Sequence, residues 1–397
     1  MQRSESIAVV QTGGCSAVIN STLAGIVQAA QQKGLHVIGL ENAFEGLFAH
    51  REVDLSYLDE DDIAKLRQTP GMFLGSSRLL LTPEMFRDIP RGLKSLGVSC
   101  LLMIGGNGTM YAADRIQSSA REQGMGLRVI GVPKTVDNDI LGVEFAPGFP
   151  SAARYVAQAV KDISVDLESM KTFEQVRIIE VMGRSAGWLT GAAALAQHGS
   201  DTPPHLIYLP EVSFNQEAFL QEVKKCQQRY GYVVAVVGEG IHDEHGQPIG
   251  AIPFADIKQA SQIYGGASAY LASLVQKRLG LKARAQDLTM AQRCFVPLRS
   301  AWDERQAFAY GEAAVQALVQ GSSGVMVMEC KSDGGFVLQA LSRAGGKEKK
   351  VPVSLYDQKN HQMSKKFVDW LRPVVEPWSY EYLSLQDICS GKQAKAL

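Results

Sequence analysis

The chain has 397 residues, with 40 Lys and Arg against 41 Asp and Glu and a hydrophobic fraction of 46%. At about 150 residues per domain, that length makes two or three lobes with buried cores, and the apolar content excludes a disordered chain. A net charge of −1 provides no basic footprint, so neither nucleic acid nor an anionic membrane surface is expected as a partner.

In chain order, short β-branched runs alternate with amphipathic stretches. Ile7–Gln11 predicts a strand, Val18–Gln32 a helix and Leu35–Leu40 a second strand. Strand Cys100–Ile104, helix Met110–Glu122, strand Leu127–Val132 and helix Ser151–Leu167 follow. The remaining strands are Val176–Val181, Leu206–Leu209, Val233–Val237 and Val325–Met328. These runs are apolar throughout rather than alternating, as when both faces of a sheet are covered. The βα alternation predicts mainly parallel sheets with right-handed crossovers, an α/β fold. The Gly/Pro cluster at Ala146–Pro150 divides it into an α/β lobe over 1–150 and a second over 151–345, with a cleft between them. The break RAGGKEKK at Arg343–Lys350 opens a C-terminal extension, 346–397, packed on the lobes.

Cys15, Cys100, Cys226, Cys294, Cys330 and Cys389 form no CxxC pair, so neither a disulfide framework nor a zinc ribbon is expected. The apolar run in MQRSESIAVV is short for a signal peptide, and Ser185–Ser200 falls short of the ~20 apolar residues of a spanning helix. The expected location is cytoplasmic.

Ligands of parallel α/β sheets collect beyond the carboxyl ends of strands, so the loops there carry the functional signal. After the first strand comes Thr12-Gly13-Gly14-Cys15-Ser16, and after the third comes Gly105-Gly106-Asn107-Gly108-Thr109. Glycines there let backbone N–H groups approach an anion, aided by the following helix's dipole. Neither loop matches GxxxxGK[ST] or GxGxxG. The fourth strand leads into Pro133-Lys134-Thr135-Val136-Asp137-Asn138-Asp139. A carboxylate in that loop can deprotonate a hydroxyl while the ammonium offsets departing phosphate charge. Met182-Gly183-Arg184 and Gly238-Glu239-Gly240 end two later strands. Each loop alone also reads as an ordinary turn; five on one rim read as a site. His242 and His245, in HDEHGQ, read as a solvated hairpin. Lys347–Lys350 reads as a solvated charge run, and Trp188, Trp302, Trp370 and Trp378 as packing residues.

From about Ile7 to Met328 these motifs resemble the phosphofructokinase family. Gly13-Gly14-Cys15 with Asn20 stands for its first Gly-Gly loop, FLGSSR ending at Arg78 for GSxR, and GGNGT for GGDGS/T. PKTVDND stands for PxTxDND, EVMGR is kept at Glu180–Arg184, and AQR at Ala291–Arg293 resembles the QR segment. The resemblance implies two Rossmann-like lobes, the first holding the phosphoryl donor and the second fructose 6-phosphate. It implies phosphoryl transfer to the sugar's C1 hydroxyl. Asp137 would be the base, with Lys134 and Arg78 as further catalytic groups. Gly13, Gly14, Arg78, Gly106, Asn107, Gly108 and Thr109 would hold the donor. Mg²⁺ is the implied cofactor, at Asn107 and Asp139. Thr135, Val136, Asp137, Met182, Gly183, Arg184 and Glu239 would line the sugar. Arg284, Met290 and Arg293 would meet its 6-phosphate, Arg284 reaching across from a neighbouring subunit of a homodimer or homotetramer.

The chain departs from the family pattern at several places. The metal-associated Asp falls on Asn107, a sugar-phosphate Arg on Gln175 and the usual His on Met290. The resemblance would then shift sugar-phosphate contacts to Arg177 or a lysine. Two effector-binding arginines fall on Ala24 and Gln28, so no such effector control is expected. Lys134 stands where pyrophosphate-using members carry Lys; Gly108 points the other way, since such enzymes often carry Asp there. The balance favours pyrophosphate as donor, giving a near-reversible step of glycolysis or gluconeogenesis. The ATP-dependent kinase and a catalytically silent sugar-phosphate-binding regulatory subunit are the alternatives.

Overall fold

The computed structural model describes residues 6–77, 79–199, 201–250, 265–330, 334–375 and 382–383. Two sheets organise them. The first contains β1 (Ser6–Gln11), β2 (His36–Leu40), β3 (Glu52–Asp54), β4 (Val98–Gly105) and β5 (Arg128–Pro133). The second contains β6 (Val176–Val181), β7 (Leu206–Tyr208), β8 (Val233–Gly238) and β9 (Ala283–Asp287). The chain then returns to the first sheet with β10 (Val325–Glu329) and β11 (Phe336–Ala340).

The first sheet runs β11-β10-β5-β4-β1-β2-β3, parallel through its five central strands and antiparallel at both edges. The second, β7-β8-β6-β9, is parallel throughout. Each is covered on both faces, which is why most strands expected from their apolar runs are largely buried, β6 and β8 from end to end. Helices Ile19–Gln32 and Ala301–Val319 cover one face of the first sheet, and Pro83–Ser95 and Asn107–Glu122 the other. Sequence chemistry sets several helix starts. Thr82 accepts from Met85 N at 3.4 Å ahead of Pro83, and Ser300 accepts from Asp303 N at 3.1 Å.

Two expectations about layout are corrected. Helix Ala301–Val319 and strands β10 and β11, expected in the second lobe, belong to the first. Helix Ala301–Val319 crosses Ile19–Gln32 with Gly25 and Gly311 at the contact, where any Cβ would run into the facing backbone. That docking delivers β10 to β5, with Val325 opposite Ile130. Helix Asn107–Glu122 also starts one turn before the expected Met110, so Asn107, Gly108 and Thr109 form its first turn. Described parts of the extension touch both lobes. Phe367 and Leu371 of helix Lys365–Val375 join Trp188 in the second core, while Gly346–Lys349 reaches loops of the first. Among the described residues no helix is long and apolar enough to cross a membrane. Arg78, Trp378 and Cys389 lie outside the described residues.

Candidate active site

Five strand ends, those of β1, β4, β5, β6 and β8, open onto one cavity of about 1040 Å³. Thr12, Gly13, Gly14, Gly106–Thr109, Lys134–Asp137, Asp139, Met182, Arg184, Glu239 and Arg293 all line it. The parallel register brings the first three loops together. Thr12 N donates to Ile104 O at 2.9 Å, Lys134 N to Gly105 O at 2.9 Å, and the hydroxyls of Thr12 and Thr109 lie 2.5 Å apart. The first turn of helix Asn107–Glu122 therefore directs its free N–H groups at the cavity, an anion seat.

Lys134 is 2% exposed, and its ammonium donates to the carbonyls of Gly14 and Thr12. Burial pulls its pKa down to about 8, against the opposing pull of Cys15, Asp137 and Asp139. Asp137 shifts the other way. Burial, with Asp139 and Glu239 nearby, raises it to about 7, although Arg184 and Lys134 resist. The loop between them is held from below. Thr135 Oγ1 accepts from Asp137 N at 3.1 Å, and buried Asn138 bonds Glu144 O at 3.0 Å and Ala146 N at 2.9 Å. A carboxyl poised near neutrality beside a buried ammonium and an anion seat can take a proton from an alcohol while negative charge leaves.

The second lobe supplies the facing wall. Burial raises Glu239, which accepts from Gly183 N at 3.3 Å. Met182 N donates to Gln292 Oε1 at 3.1 Å, so Gln292 fixes the Met-Gly-Arg loop. Arg293 reaches the donor side. One terminal nitrogen sits 3.6 Å from where a Gly14 Cβ would be, and its buried Nε has no hydrogen-bond partner.

Arg284 and Met290 are not in this cavity. Arg284, on the open edge strand β9, pairs with Glu174 at 2.7 Å, and Met290 is exposed. Arg177, expected to replace the missing sugar-phosphate arginine, is instead committed to Glu174 at 2.6 Å and Asp166 at 3.3 Å. Gln175 accepts from Lys282 N at 3.0 Å, a strand-end tie.

Two residues toward a divalent cation differ in kind. Asp139 has a buried Oδ1 without a hydrogen-bond partner, an acceptor free for a cation. Asn107 is occupied: Nδ2 donates to Lys347 O at 2.7 Å and Oδ1 accepts from Gly346 N at 3.0 Å. Among the described residues no group of three or more His, Cys, Asp or Glu gathers as a closed metal cage. An open site of one or two carboxylates completed by substrate oxygens is how Mg²⁺ is commonly held.

Sequence reasoning missed Asp303 and Glu348, and it gave Gln292, within the AQR segment, no role of its own. Asp303 is fully buried and accepts from Gly148 N at 3.0 Å and Ser151 N at 3.0 Å, anchoring the helix that backs Thr135. Nothing in its local sequence marks it. Glu348 lines the cavity but reads as part of a solvated run.

A family model described as Phosphofructokinase matches residues 6–318. A sulfofructose kinase of Alkalicoccus urumqiensis is 34% identical over 93% of this chain and 95% of its own. A pyrophosphate–fructose 6-phosphate 1-phosphotransferase of Xanthomonas campestris pv. campestris is 34% identical over 97% of both. The crystal structure of a pyrophosphate-dependent phosphofructokinase from Marinobacter aquaeolei superposes with a TM-score of 0.84 at 29% identity, covering 96% of this chain and 94% of that one.

Proposed function

The chain belongs to the phosphofructokinase family and is a phosphotransferase; from that premise we propose that it moves a phosphoryl group from pyrophosphate to the C1 hydroxyl of fructose 6-phosphate. The observation that carries the donor assignment is the buried Lys134 ammonium between the Gly14 carbonyl and Asp137. Free orthophosphate leaves when pyrophosphate donates, and a desolvated ammonium offsets its developing charge.

In this reading Asp137 takes the C1 hydroxyl proton as the alkoxide oxygen attacks the distal phosphorus. The bond from that phosphorus to the bridging oxygen breaks, and orthophosphate carries the electron pair away beside Lys134. Little covalent chemistry falls to the protein; positioning and charge neutralisation dominate. The first-lobe loops Gly13–Gly14 and Gly106–Thr109, with Arg78, hold the donor. The second lobe supplies Met182, Gly183, Arg184 and Glu239 to the sugar. Asp139 would help hold a divalent cation, which would supply charge neutralisation to the donor when bound. Arg284 lies outside this chain's cavity on an open edge strand, which supports its service to a neighbouring subunit of a homodimer or homotetramer. The step is near-reversible because no nucleoside triphosphate is consumed, which suits either direction of sugar breakdown or synthesis.

One observation favours the ATP-using alternative. Beyond Gly108, where an added Cβ would meet nothing within 4 Å, the cavity continues past Phe86, Tyr111 and Arg115, with room for a nucleoside. The deciding experiment is turnover of the purified chain with Mg²⁺ and each donor. Product with pyrophosphate is expected; product with ATP alone removes the proposal. Lys134→Gly should lower pyrophosphate-supported turnover selectively, and equal loss with both donors would show that Lys134 does not discriminate. The acceptor panel should include 6-deoxy-6-sulfofructose. Gln175 and Met290, where the family carries Arg and His, bring no charge, which lightens the positive field for a 6-substituent.

A further inference from the structure

We propose that Lys349, in the C-terminal extension, is a positioning residue for the phosphotransfer: it pins the loop that carries Asp137 to the second-lobe wall that faces it. The inference rests on the roles given above to Asp137 and to that wall, and adds the residue that joins them. Between the end of β5 at Pro133 and the start of helix Phe149–Met170 the chain forms no helix or strand. Asp137 lies in that stretch. A group on a loop is placed less precisely than one on a helix or strand, so its position depends on what packs against the loop.

Asn138 closes the loop on itself through Glu144 O and Ala146 N, and Asp303 holds its far end at Gly148 N. The stretch between is taken by Lys349. Its N–H donates to Asp139 O at 2.7 Å, and its ammonium donates to Val143 O at 2.6 Å and Glu144 O at 2.9 Å. Glu144 O thereby accepts from Asn138 and Lys349 together, one hydrogen bond for each lone pair. From the second lobe, Trp188 Nε1 donates to Lys349 O at 2.8 Å, and the Lys349 ammonium lies 4.9 Å from the centre of the Trp188 ring. Trp188 is buried and opens the short helix Trp188–Gly191, which follows the Met182-Gly183-Arg184 loop. Further along the extension, Val351 N donates to Glu211 Oε1 at 2.8 Å, the oxygen that also takes Gly187 N at 2.9 Å. Lys349 and Val351 thus fasten the loop of one lobe to the wall of the other.

The run Lys347–Lys350 reads from sequence as solvated charge, and Lys347, Glu348 and Lys350 are indeed exposed. Lys349 is half-buried, its ammonium engaged by two main-chain carbonyls and an indole face. It does not line the cavity that contains Lys134 and Asp137. It lines a separate one of about 320 Å³, walled by Val143, Trp188, Leu355 and Trp370. Lys349 therefore acts through the loop rather than on a substrate. Removing its ammonium leaves Val143 O and one lone pair of Glu144 O without their partner and loosens the loop from Trp188. A shift of about 1 Å in a reacting group is enough to cost about 10²-fold in rate.

The test is the steady-state kinetics of the full chain with fructose 6-phosphate and whichever of pyrophosphate or ATP the wild type uses. Lys349→Met removes the ammonium and keeps an unbranched chain over Trp188, while Lys349→Arg keeps the charge and the donors. Lys349→Met should lower kcat by about 10-fold or more, with KM for both substrates within about threefold of wild type, and Lys349→Arg should recover part of the loss. Circular dichroism at the assay temperature checks that the variants are folded. Trp188→Phe reaches the same joint from the second lobe, removing the indole N–H, and should lower kcat by about threefold or more; it carries the test if Lys349→Met does not fold. A folded Lys349→Met protein with kcat within about twofold of wild type, or with a loss confined to KM, overturns the assignment and leaves the phosphotransfer reading intact. If Trp188→Phe stands alone, a kcat equal to that of wild type does the same. A wild type that turns over neither donor removes both.

Discussion

Asp137 and Lys134 are pushed toward one another's range by the same burial, and this coupling sets the pH behaviour. With Asp137 at about 7 and Lys134 at about 8, kcat/KM should rise as pH passes about 7 and the base ionises. It should fall again above about 8, as the ammonium discharges. A pH profile of kcat/KM measures both limbs, and Asp137→Asn should cut kcat by about 10³-fold with little change in KM, as expected for a general base. The same shift acts on stability, with a definite sign. Because the folded pKa of about 7 lies above the ordinary 3.8, the unfolded chain ionises first, and folding is weakened as pH rises between the two. The penalty is absent below the lower value and complete above the upper one. Asp137→Asn should therefore melt at a higher temperature than wild type at pH 8, by roughly 2 °C per kcal/mol relieved. That advantage should vanish at pH 4; equal melting at both values would show that Asp137 is not strained by burial. The residues involved are readable in sequence, since PKTVDND sits at a strand end. Their protonation is not, because Glu239 and Arg184 arrive from another lobe.

At the scale of elements, apolar runs revealed the strands buried on both faces, β1, β2, β4 to β8 and β10, within a residue or two. They hid β9 and β11, whose patterns are largely exposed and read as loop. Short-range periodicity reports burial, and an edge strand lacks it. The helix expected over Ser151–Leu167 runs Phe149–Met170, its start read within two residues, but what caps that start was illegible because the cap comes from far along the chain. Asp303 accepts from Gly148 N, Ser151 N and the Ser151 hydroxyl, the last at 2.5 Å, in place of a local N-cap. That carboxylate holds the turn beside Thr135, whose N–H bonds Pro147 O at 3.1 Å. Removing it orphans three buried donors at once. Asp303→Ala should cost roughly 3 kcal/mol in urea unfolding, at the upper end for bonds to a charged acceptor. A loss below about 1 kcal/mol would mean that the helix start is held by packing alone.

For the whole molecule, the least legible feature is the chain's return to its first sheet, and it is also what joins the two lobes' stabilities. Helix Ala301–Val319 leaves the second lobe and lies on Ile19–Gln32, so β10 completes the sheet next to β5, the strand that carries Lys134 and Asp137. Sequence patterning marked Val325–Met328 as a strand but had no means to choose its partner, because pairing depends on contacts hundreds of residues apart. The contact that decides it is small. A Cβ on Gly25 would run into the Phe308 carbonyl, and one on Gly311 into the Thr22 carbonyl. Backbone meets backbone there, so no side chain can turn aside, and the helices must separate to admit even a methyl group. Gly25→Ala and Gly311→Ala should each lower stability by about 1–3 kcal/mol, the usual cost of overpacking, despite the better helix propensity of Ala. Both strain one crossing, so the separation forced by the first already makes room for the second. The double variant should then lose clearly less than the sum of the single losses in a thermodynamic cycle. Additive losses would mean that each helix deforms on its own, and the crossing would not be the joint that ties β10, and with it the Lys134–Asp137 loop, to the rest of the chain.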